Sequence, residues 1–398
     1  MAYPRGFVAT GIYAGIKRNP RKLDLAVICS ATPATVAGVT TRNRIVAAPV
    51  VQARKIIRSG TAQAIIVNSG NANACTGPAG VQAVSAEVQA AAWSLGVKRQ
   101  HVVIASTGII GVLPPVAKLQ KGIQAAAKNL PGRETRKQGW DAAARAIMTT
   151  DFTPKQKWVT VYHGGKSFTV GGIAKGSGMI HPDMGTMLAF VVTDLGISKT
   201  RLHQAVAEAN RLSFNRISVD GDTSTNDMAL VMANGMSGLK AADGASILSK
   251  KFQATLNTVC IYLAKEIVGD GEGATKRIHC RVTGALSEAQ AEKVAKAIVG
   301  SSLVKTAMHG EDPNWGRIVA AAGRSGERLN PAKLNLWFGK LHIFKNGRPA
   351  AAPRWRFRTA LRQREIGLRL DLGLGKRQAT CWGCDLSAGY VKINSAYS

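Results

Sequence analysis

One pattern restricts this chain more than any other: apolar runs of strand character stop abruptly in stretches of Gly, Asn, Asp, Ser and Thr. Residues 61–69 (TAQAIIVNS) end in SGNANACTG, and His101–Ser106 (HVVIAS) runs straight into Thr107-Gly108. Four such stretches close apolar strands: Asn68–Gly77, Ser106–Gly111, Lys175–Thr186 and Asp220–Asp227; a fifth is Asp270–Lys276. Any one of them reads as a turn, because these residues build turns. Five together have the composition of loops that a rigid scaffold holds for function.

Helical patterns lie between them. Val81, Val84, Val88 and Ala92 recur at helical spacing across 79–95, and Gly96 closes that helix. Residues 121–129, 139–148, 199–212, 245–268 and 287–301 also read as helices. WVTVYHGGKSFTVGGIA (158–174) reads as a hairpin turning at Gly164-Gly165. Thr186–Val192 and RIHCRVTGA (277–285) read as strands. Helices and strands alternate without strict βαβ regularity, so the fold class is α/β. A length of 398 residues suggests two domains or one large one, with a Gly-rich boundary near 235–245.

The charge is unusual, with 53 Lys+Arg against 23 Asp+Glu, a net +30. Such a balance raises nucleic acid or an anionic membrane as partners. The chain carries no long Lys/Arg run, no zinc-finger spacing and no aromatic-basic signature, so no nucleic-acid partner is expected. The densest stretch, 340–369, holds nine Lys/Arg against the single acid Glu365. It reads as a solvated or poorly ordered surface, with an anion-attracting patch as the alternative. No apolar run is long enough to span a membrane. MAYPRGFVATG lacks the apolar core of a signal peptide, and six scattered cysteines suit a reduced, cytoplasmic chain.

Familiar catalytic motifs are missing. There is no GxSxG, no Walker lysine spacing and no metal-ligand spacing among the seven histidines, so no metal or cofactor is expected. Cys381-Trp-Gly-Cys384 is the one CxxC, without a second pair to complete a zinc site. A threonine made N-terminal by chain cleavage needs no histidine. Its own α-amine, of pKa about 7.7–8, takes the hydroxyl proton near neutral pH. Such a threonine requires a small preceding residue and a rigid strand behind it. Gly185-Thr186 followed by MLAFVV meets both requirements.

KGSGMIHPDMGTMLAF (175–190) resembles the cleavage motif of the ornithine acetyltransferases, the bifunctional glutamate N-acetyltransferase/amino-acid acetyltransferases of arginine biosynthesis. GVTTRNRIVAAPV, IIVNSGNANACTG, STGIIG, AIMTTDFTPK, FNRISVDGDTSTNDM, DGEGATK, LVKTAMHGEDPNWGRI and WGCDLSAGYVKINSAYS resemble further blocks of that family, in order. The resemblance implies self-cleavage between Gly185 and Thr186. Thr186 then attacks the acetyl carbonyl of N-acetylornithine, Thr107 and the Gly108 N–H form the oxyanion hole, and glutamate takes the acetyl group in a ping-pong cycle. It also implies that Thr149 or Thr150, Lys175, Glu272, Asn394 and Ser398 touch substrate; relatives usually carry a further substrate-contacting hydroxyl residue beyond the position of Ser398, where this sequence stops. On the same grounds Asp220–Asp227 and Asp312–Arg317 are expected to buttress the site. His181 and Asp183 receive no role. Gly185 stands where relatives often have Ala, and residues 350–369 depart from a region where relatives tend to be acidic.

The family fold implied is an α-β-β-α sandwich carrying the nucleophile plus a smaller α/β domain. The corresponding division is 1–240, 241–350 and a C-terminal segment 351–398 that returns to the active site. A heterotetramer of two cleaved pairs is expected. Shared motifs leave acetyl-CoA open as a second donor. Two competing readings are an N-terminal-threonine amidase or aminopeptidase with water as acceptor and, resting on charge alone, a basic nucleic-acid-binding protein.

Overall fold

The computed structural model describes residues 2–130, 136–181, 187–242, 246–350 and 354–396. In chain order the elements are β1 (Phe7–Ile12), β2 (Leu25–Thr40), α1 (Ala48–Ser59), β3 (Thr61–Asn71), α2 (Gly77–Leu95), β4 (Val102–Ile109), α3 (Val116–Lys128), α4 (Arg136–Ala146), β5 (Lys155–His163), β6 (Lys166–Lys175), β7 (Leu188–Thr193), β8 (Gly196–Ile197), α5 (Lys199–Leu212), β9 (Ile217–Ser218), β10 (Met228–Ala233), β11 (Lys240–Ala241) and α6 (Ile247–Gly269). They continue with β12 (Arg277–Ala285), α7 (Glu288–Val299), α8 (Ser302–His309), α9 (Trp315–Gly323), β13 (Asn335–Phe338), β14 (Leu341–Lys345), β15 (Arg348–Pro349), α10 (Arg354–Leu361), β16 (Glu365–Asp371), β17 (Arg377–Cys384) and α11 (Ala388–Asn394).

Two compact units result. The first comprises Met1–Gly176, Asp183–Asn215 and Thr223–Ile267; the second comprises Ser177–Pro182, Arg216–Asp222 and Val268–Ser398. This division differs from the one expected near residue 240. Helix α6 stays with the first unit, because Phe252, Leu256, Val259 and Leu263 make one buried face. Residues 351–398 are no separate segment either, since β16 and β17 flank β12 in the sheet of the second unit.

The first unit is built on β2. Its first half pairs with β1 on one edge and β3 on the other, and its second half pairs with β10. The register shifts between Cys29 and Ala34, an irregularity of the kind that bends a strand and twists it further. The full strand order is β4-β3-β2-β10-β7-β6-β5. Alternation along the strands then defines the layers. Ile65, Val67, Val103 and Ala105 from one half share a core with Leu188, Phe190, Met228 and Leu230 from the other. Their neighbours Ala64, Ile66, Val102 and Ile104 face α2 and α3 instead. Ala189, Val191, Ala229 and Val231 face α5 and α6. This is the expected α-β-β-α layering. The β5–β6 hairpin turns at Gly164-Gly165, both at positive φ (55° and 73°), as a two-residue primed turn requires.

Helix α2 carries a buried misfit. Neither carboxyl oxygen of Glu87 has a hydrogen-bond partner among the described residues. Burial alone pushes its pKa up to about 8. The protonated form is the one the fold accepts. That stability is fully present below the unfolded pKa and is lost as pH rises through about 8. Unfolding free energy is expected to fall by on the order of 3 kcal/mol between pH 5 and 9 from this group. Chemical denaturation of Glu87→Gln at both pH values should show that part of the slope gone. An unchanged slope would rule the cause out.

In the second unit the sheet order is β15-β14-β13-β16-β12-β17-β9. The described residues of the basic stretch 340–369 supply β14, β15, α10 and β16. On β16, Ile366, Leu368 and Leu370 point into the core while Glu365, Gly367 and Arg369 stay exposed. The positive charge therefore lies on a solvated face of regular structure. Cys381 packs into the core and is pushed up to about 12 by burial, so its thiol is inert. No group of three or more His, Cys, Asp or Glu suited to a metal occurs among the described residues. None of their helices is long and apolar enough to cross a membrane.

Candidate active site

In the first unit the site grows from the parallel pair β3–β4. Their C-terminal ends run side by side, with Asn68 opposite Ser106 and Ser69 opposite Thr107. Gly108 has φ +135°, and a Cβ there would sit 2.4 Å from the Gly70 carbonyl carbon. Only glycine lets the two backbones approach so closely. Asn226 fastens the same strand end, with its side-chain amide donating to Ala72 O (2.6 Å) and Ser106 O (2.9 Å). The expected buttressing by Asp220–Asp227 is thus divided. Residues 223–227 serve the first unit and Asp220 belongs to the second.

Lys175, at the end of β6 and buried, donates to Thr107 Oγ1 at 3.2 Å. Two residues chosen from the sequence for different jobs are therefore partners. Because the Thr107 oxygen accepts from an ammonium, its own hydroxyl proton is left to donate elsewhere.

Asp151 is the residue that sequence reasoning missed. Its carboxylate accepts Lys155 Nζ (2.7 Å), Thr149 N (3.0 Å) and Gly176 N (2.7 Å). It ties the Thr149-Thr150 loop to the residue after Lys175. Burial opposes its ionisation, but Lys155, Lys175 and these hydrogen bonds outweigh burial and hold the carboxyl well below the usual range. The Asp–x–x–x–Lys spacing inside TTDFTPK was the only available signal. On the other side of this loop Lys17 Nζ donates to Leu23 O and Met148 O, both at 2.7 Å. Burial lowers the Lys17 pKa to about 8.

In the second unit Glu272 is buried, and one of its carboxylate oxygens accepts Asn394 Nδ2 at 2.7 Å. The pair joins two residues expected to touch substrate. The loop that carries Glu272 is clamped by Asp385, which accepts Thr275 N, Lys276 N (both 2.8 Å), Thr275 Oγ1 (2.5 Å) and His309 Nδ1 (2.8 Å). Lys276 reaches Met308 O (3.1 Å) and Leu361 O (2.8 Å). Within Asp312–Arg317, Asp312 N donates to Ala307 O, and Arg317 donates to Leu303 O, both on α8. Gly185, Thr186 and Ser398 lie outside the described residues.

A model of the ArgJ family matches residues 8–398. The arginine biosynthesis bifunctional protein ArgJ of Symbiobacterium thermophilum is 47% identical over 99% of this chain and 97% of its own. That of Caldanaerobacter subterraneus subsp. tengcongensis is 46% identical over 99% and 97%. Among solved structures, the arginine biosynthesis bifunctional protein argJ from Bacillus halodurans matches with a TM-score of 0.52 and 41% identity. It covers 53% of this chain and 100% of that one.

Proposed function

Because the chain belongs to the ArgJ family, we infer that it is an acetyltransferase of arginine biosynthesis that carries acetyl from N-acetylornithine to glutamate on Thr186. The observation that carries the mechanism is the Lys175–Thr107 hydrogen bond beside Gly108. It leaves a hydroxyl proton and a backbone N–H at one strand end, which is what a developing oxyanion requires.

The cycle begins with scission between Gly185 and Thr186. The α-amine freed on Thr186 accepts the hydroxyl proton as the oxygen attacks the acetyl carbonyl. Thr107 and Gly108 N–H donate to the tetrahedral oxyanion. The C–N bond breaks, the α-ammonium returns its proton to the leaving nitrogen, and ornithine departs. Glutamate's amine then attacks the acetyl-Thr186 ester by the reverse sequence. Glu272, held by Asn394, suits the substrate's side-chain ammonium. Thr149 and Thr150, fixed through Asp151, contact the remaining polar groups. The relatives are named bifunctional, and a second acetyl donor such as acetyl-CoA is consistent with that name.

A cut before Thr186 leaves a C-terminal fragment of just over half the chain. The whole Bacillus halodurans chain, which covers 53% of this one, has that size and supports the cut. Two cleaved pairs would then assemble into the heterotetramer. The cysteines are free, five of them buried, which supports a reducing cytoplasm.

Labelled N-acetylornithine should leave one acetyl ester on the peptide that begins at Thr186. Ornithine release should become glutamate-dependent after the first turnover, with parallel double-reciprocal lines. Label on another side chain sinks the reading, and release that ignores glutamate means water is the acceptor.

A further inference from the structure

Residues 147–154 join α4 to β5 without regular structure, and they carry the Thr149-Thr150 pair. Such a stretch keeps one geometry only where its backbone polar groups are tied down. The peptide group between Met148 and Thr149 is tied at both ends by opposite charges. Thr149 N donates to the Asp151 carboxylate at 3.0 Å, and Met148 O accepts from the Lys17 ammonium at 2.7 Å. Both hydrogen bonds are charge-assisted, the stronger kind.

Lys17 is itself fixed from several sides, all within the first unit. The buried Asp24 carboxylate accepts Ala14 N (2.5 Å), Ile16 N (2.7 Å) and Lys17 N (3.0 Å), which shapes the connection between β1 and β2. Asp24 O accepts Ser69 N at 2.8 Å, so the same residue joins that connection to β3. Lys17 Nζ also donates to Leu23 O at 2.7 Å. Its stem passes over Gly70, where an added Cβ would sit 3.2 Å from Lys17 Cγ. Gly70 pairs with Gly108. One side chain therefore runs from the strand end that carries Thr107 and Gly108 to the peptide group that precedes the Thr149 side chain.

We propose that Lys17 is a positioning residue for acetyl transfer, setting the Thr149-Thr150 pair in a fixed place relative to the Thr107–Gly108 strand end. This rests on the acetyltransferase reading above, in which those threonines contact substrate. Lys17 touches no reacting atom in that cycle. It removes backbone freedom before substrate arrives, and orientation fixed in advance is not charged against binding. The charges that face Lys17 are Asp24 and Lys22 from the β1–β2 connection, Asp151 from the threonine loop and Lys175 from β6. Helix α3 adds Lys118, which donates to Gly15 O at 2.9 Å. Burial outweighs the two carboxylates and lowers the Lys17 pKa to about 8. The ammonium is present below that pH and is lost as pH rises through it.

The test measures ornithine release from N-acetylornithine at saturating glutamate, on enzyme shown by intact mass to be cleaved. Lys17→Met keeps the stem and removes the charge. Its KM for N-acetylornithine should rise by about tenfold, the worth of a charge-assisted hydrogen bond. Its kcat should stay within about twofold, because contacts made equally in ground and transition states appear in KM. Lys17→Arg carries its charge throughout the assay range, and its KM at pH 7 should stay within about threefold of wild type. The ratio of wild-type KM to Lys17→Arg KM should then rise by about three- to fivefold from pH 7 to pH 9, since ionisations common to both enzymes cancel. Lys118→Met unties Gly15 in the same connection and leaves Met148 alone, so its KM should stay within about twofold of wild type. Should Lys17→Met not fold or not cleave, the pH comparison with Lys17→Arg decides alone. A flat ratio overturns the proposal. So does a KM for Lys17→Met within about twofold of wild type, or a rise in KM that Lys118→Met reproduces. Wild type that releases no ornithine overturns the acetyltransferase reading instead.

Discussion

Thr107→Val, assayed on fully cleaved enzyme, is expected to lower kcat for acetyl transfer by about 10²- to 10³-fold, roughly 3–4 kcal/mol of transition-state stabilisation. KM for N-acetylornithine should change little. Lys175 occupies one lone pair of the Thr107 oxygen, which directs the hydroxyl proton outward. That proton meets little charge on a ground-state amide oxygen and a full negative charge on the tetrahedral intermediate. An interaction realised mainly in the transition state appears in kcat and not in KM. Valine preserves shape and removes only the hydroxyl, so packing at the end of β4 is spared. Steady-state ornithine release gives both constants. A kcat within twofold of wild type would remove Thr107 from the oxyanion hole.

Asp151→Asn should cost stability as well as activity. The Asp151–Lys155 pair is nearly free of solvent, with side-chain exposures of 0% and 1%. Removing the negative partner strands a buried ammonium, which costs about 3–5 kcal/mol. Tm should drop by about 10 °C. Asparagine also puts an amide where the carboxylate accepted three donors, so Thr149 and Gly176 lose their anchor. The pH profile has a definite sign. The Asp151 carboxyl is depressed below 3.8, so its contribution is present above that value and is lost only as pH falls through the lower folded pKa. Wild type should therefore lose this advantage in strong acid alone, and the variant's deficit should be constant from pH 5 to 8. Thermal melts across that range check both points, and a Tm within 2 °C of wild type refutes the buried-pair account.

The loops of the site were legible because each ends a strand whose apolar pattern is plain. β3 and β4 are valine- and isoleucine-rich, and Gly108 lies in the last turn-forming residues of β4. The helices α2 and α5 were also readable from spacing and punctuation. Local pattern could not reveal partnership across the chain. Lys175 and Thr107 are 68 residues apart, Glu272 and Asn394 are 122 apart, and nothing in either local sequence specifies the other. Asp151 looked like an ordinary loop acid because its three donors become visible only after β5 and β6 pair. The stretch 340–369 misled for a different reason. Arginine dominates its composition, but Ile366, Leu368 and Leu370 alternate beneath the charges, and a period of two is easily hidden by exposed cations. The domain boundary was missed because glycine content marks turns, whereas α6 is assigned by the side chains it buries.

The connection between β6 and β7 holds the bond proposed to break, and those two strands are antiparallel neighbours in one sheet. β10, downstream of the cut, is paired on one edge with β2 from upstream and on the other with β7. The two polypeptides such a cut would leave share one sheet, with the downstream pair β10–β7 inserted between upstream β2 and upstream β6. They cannot dissociate without unzipping two ladders and opening the shared core. Once denatured, they must find each other by diffusion to rebuild a sheet that a single covalent chain assembled the first time. Maturation of this kind converts an ordinary folding equilibrium into a one-way event, and the lifetime of the enzyme becomes a matter of how slowly the sheet opens.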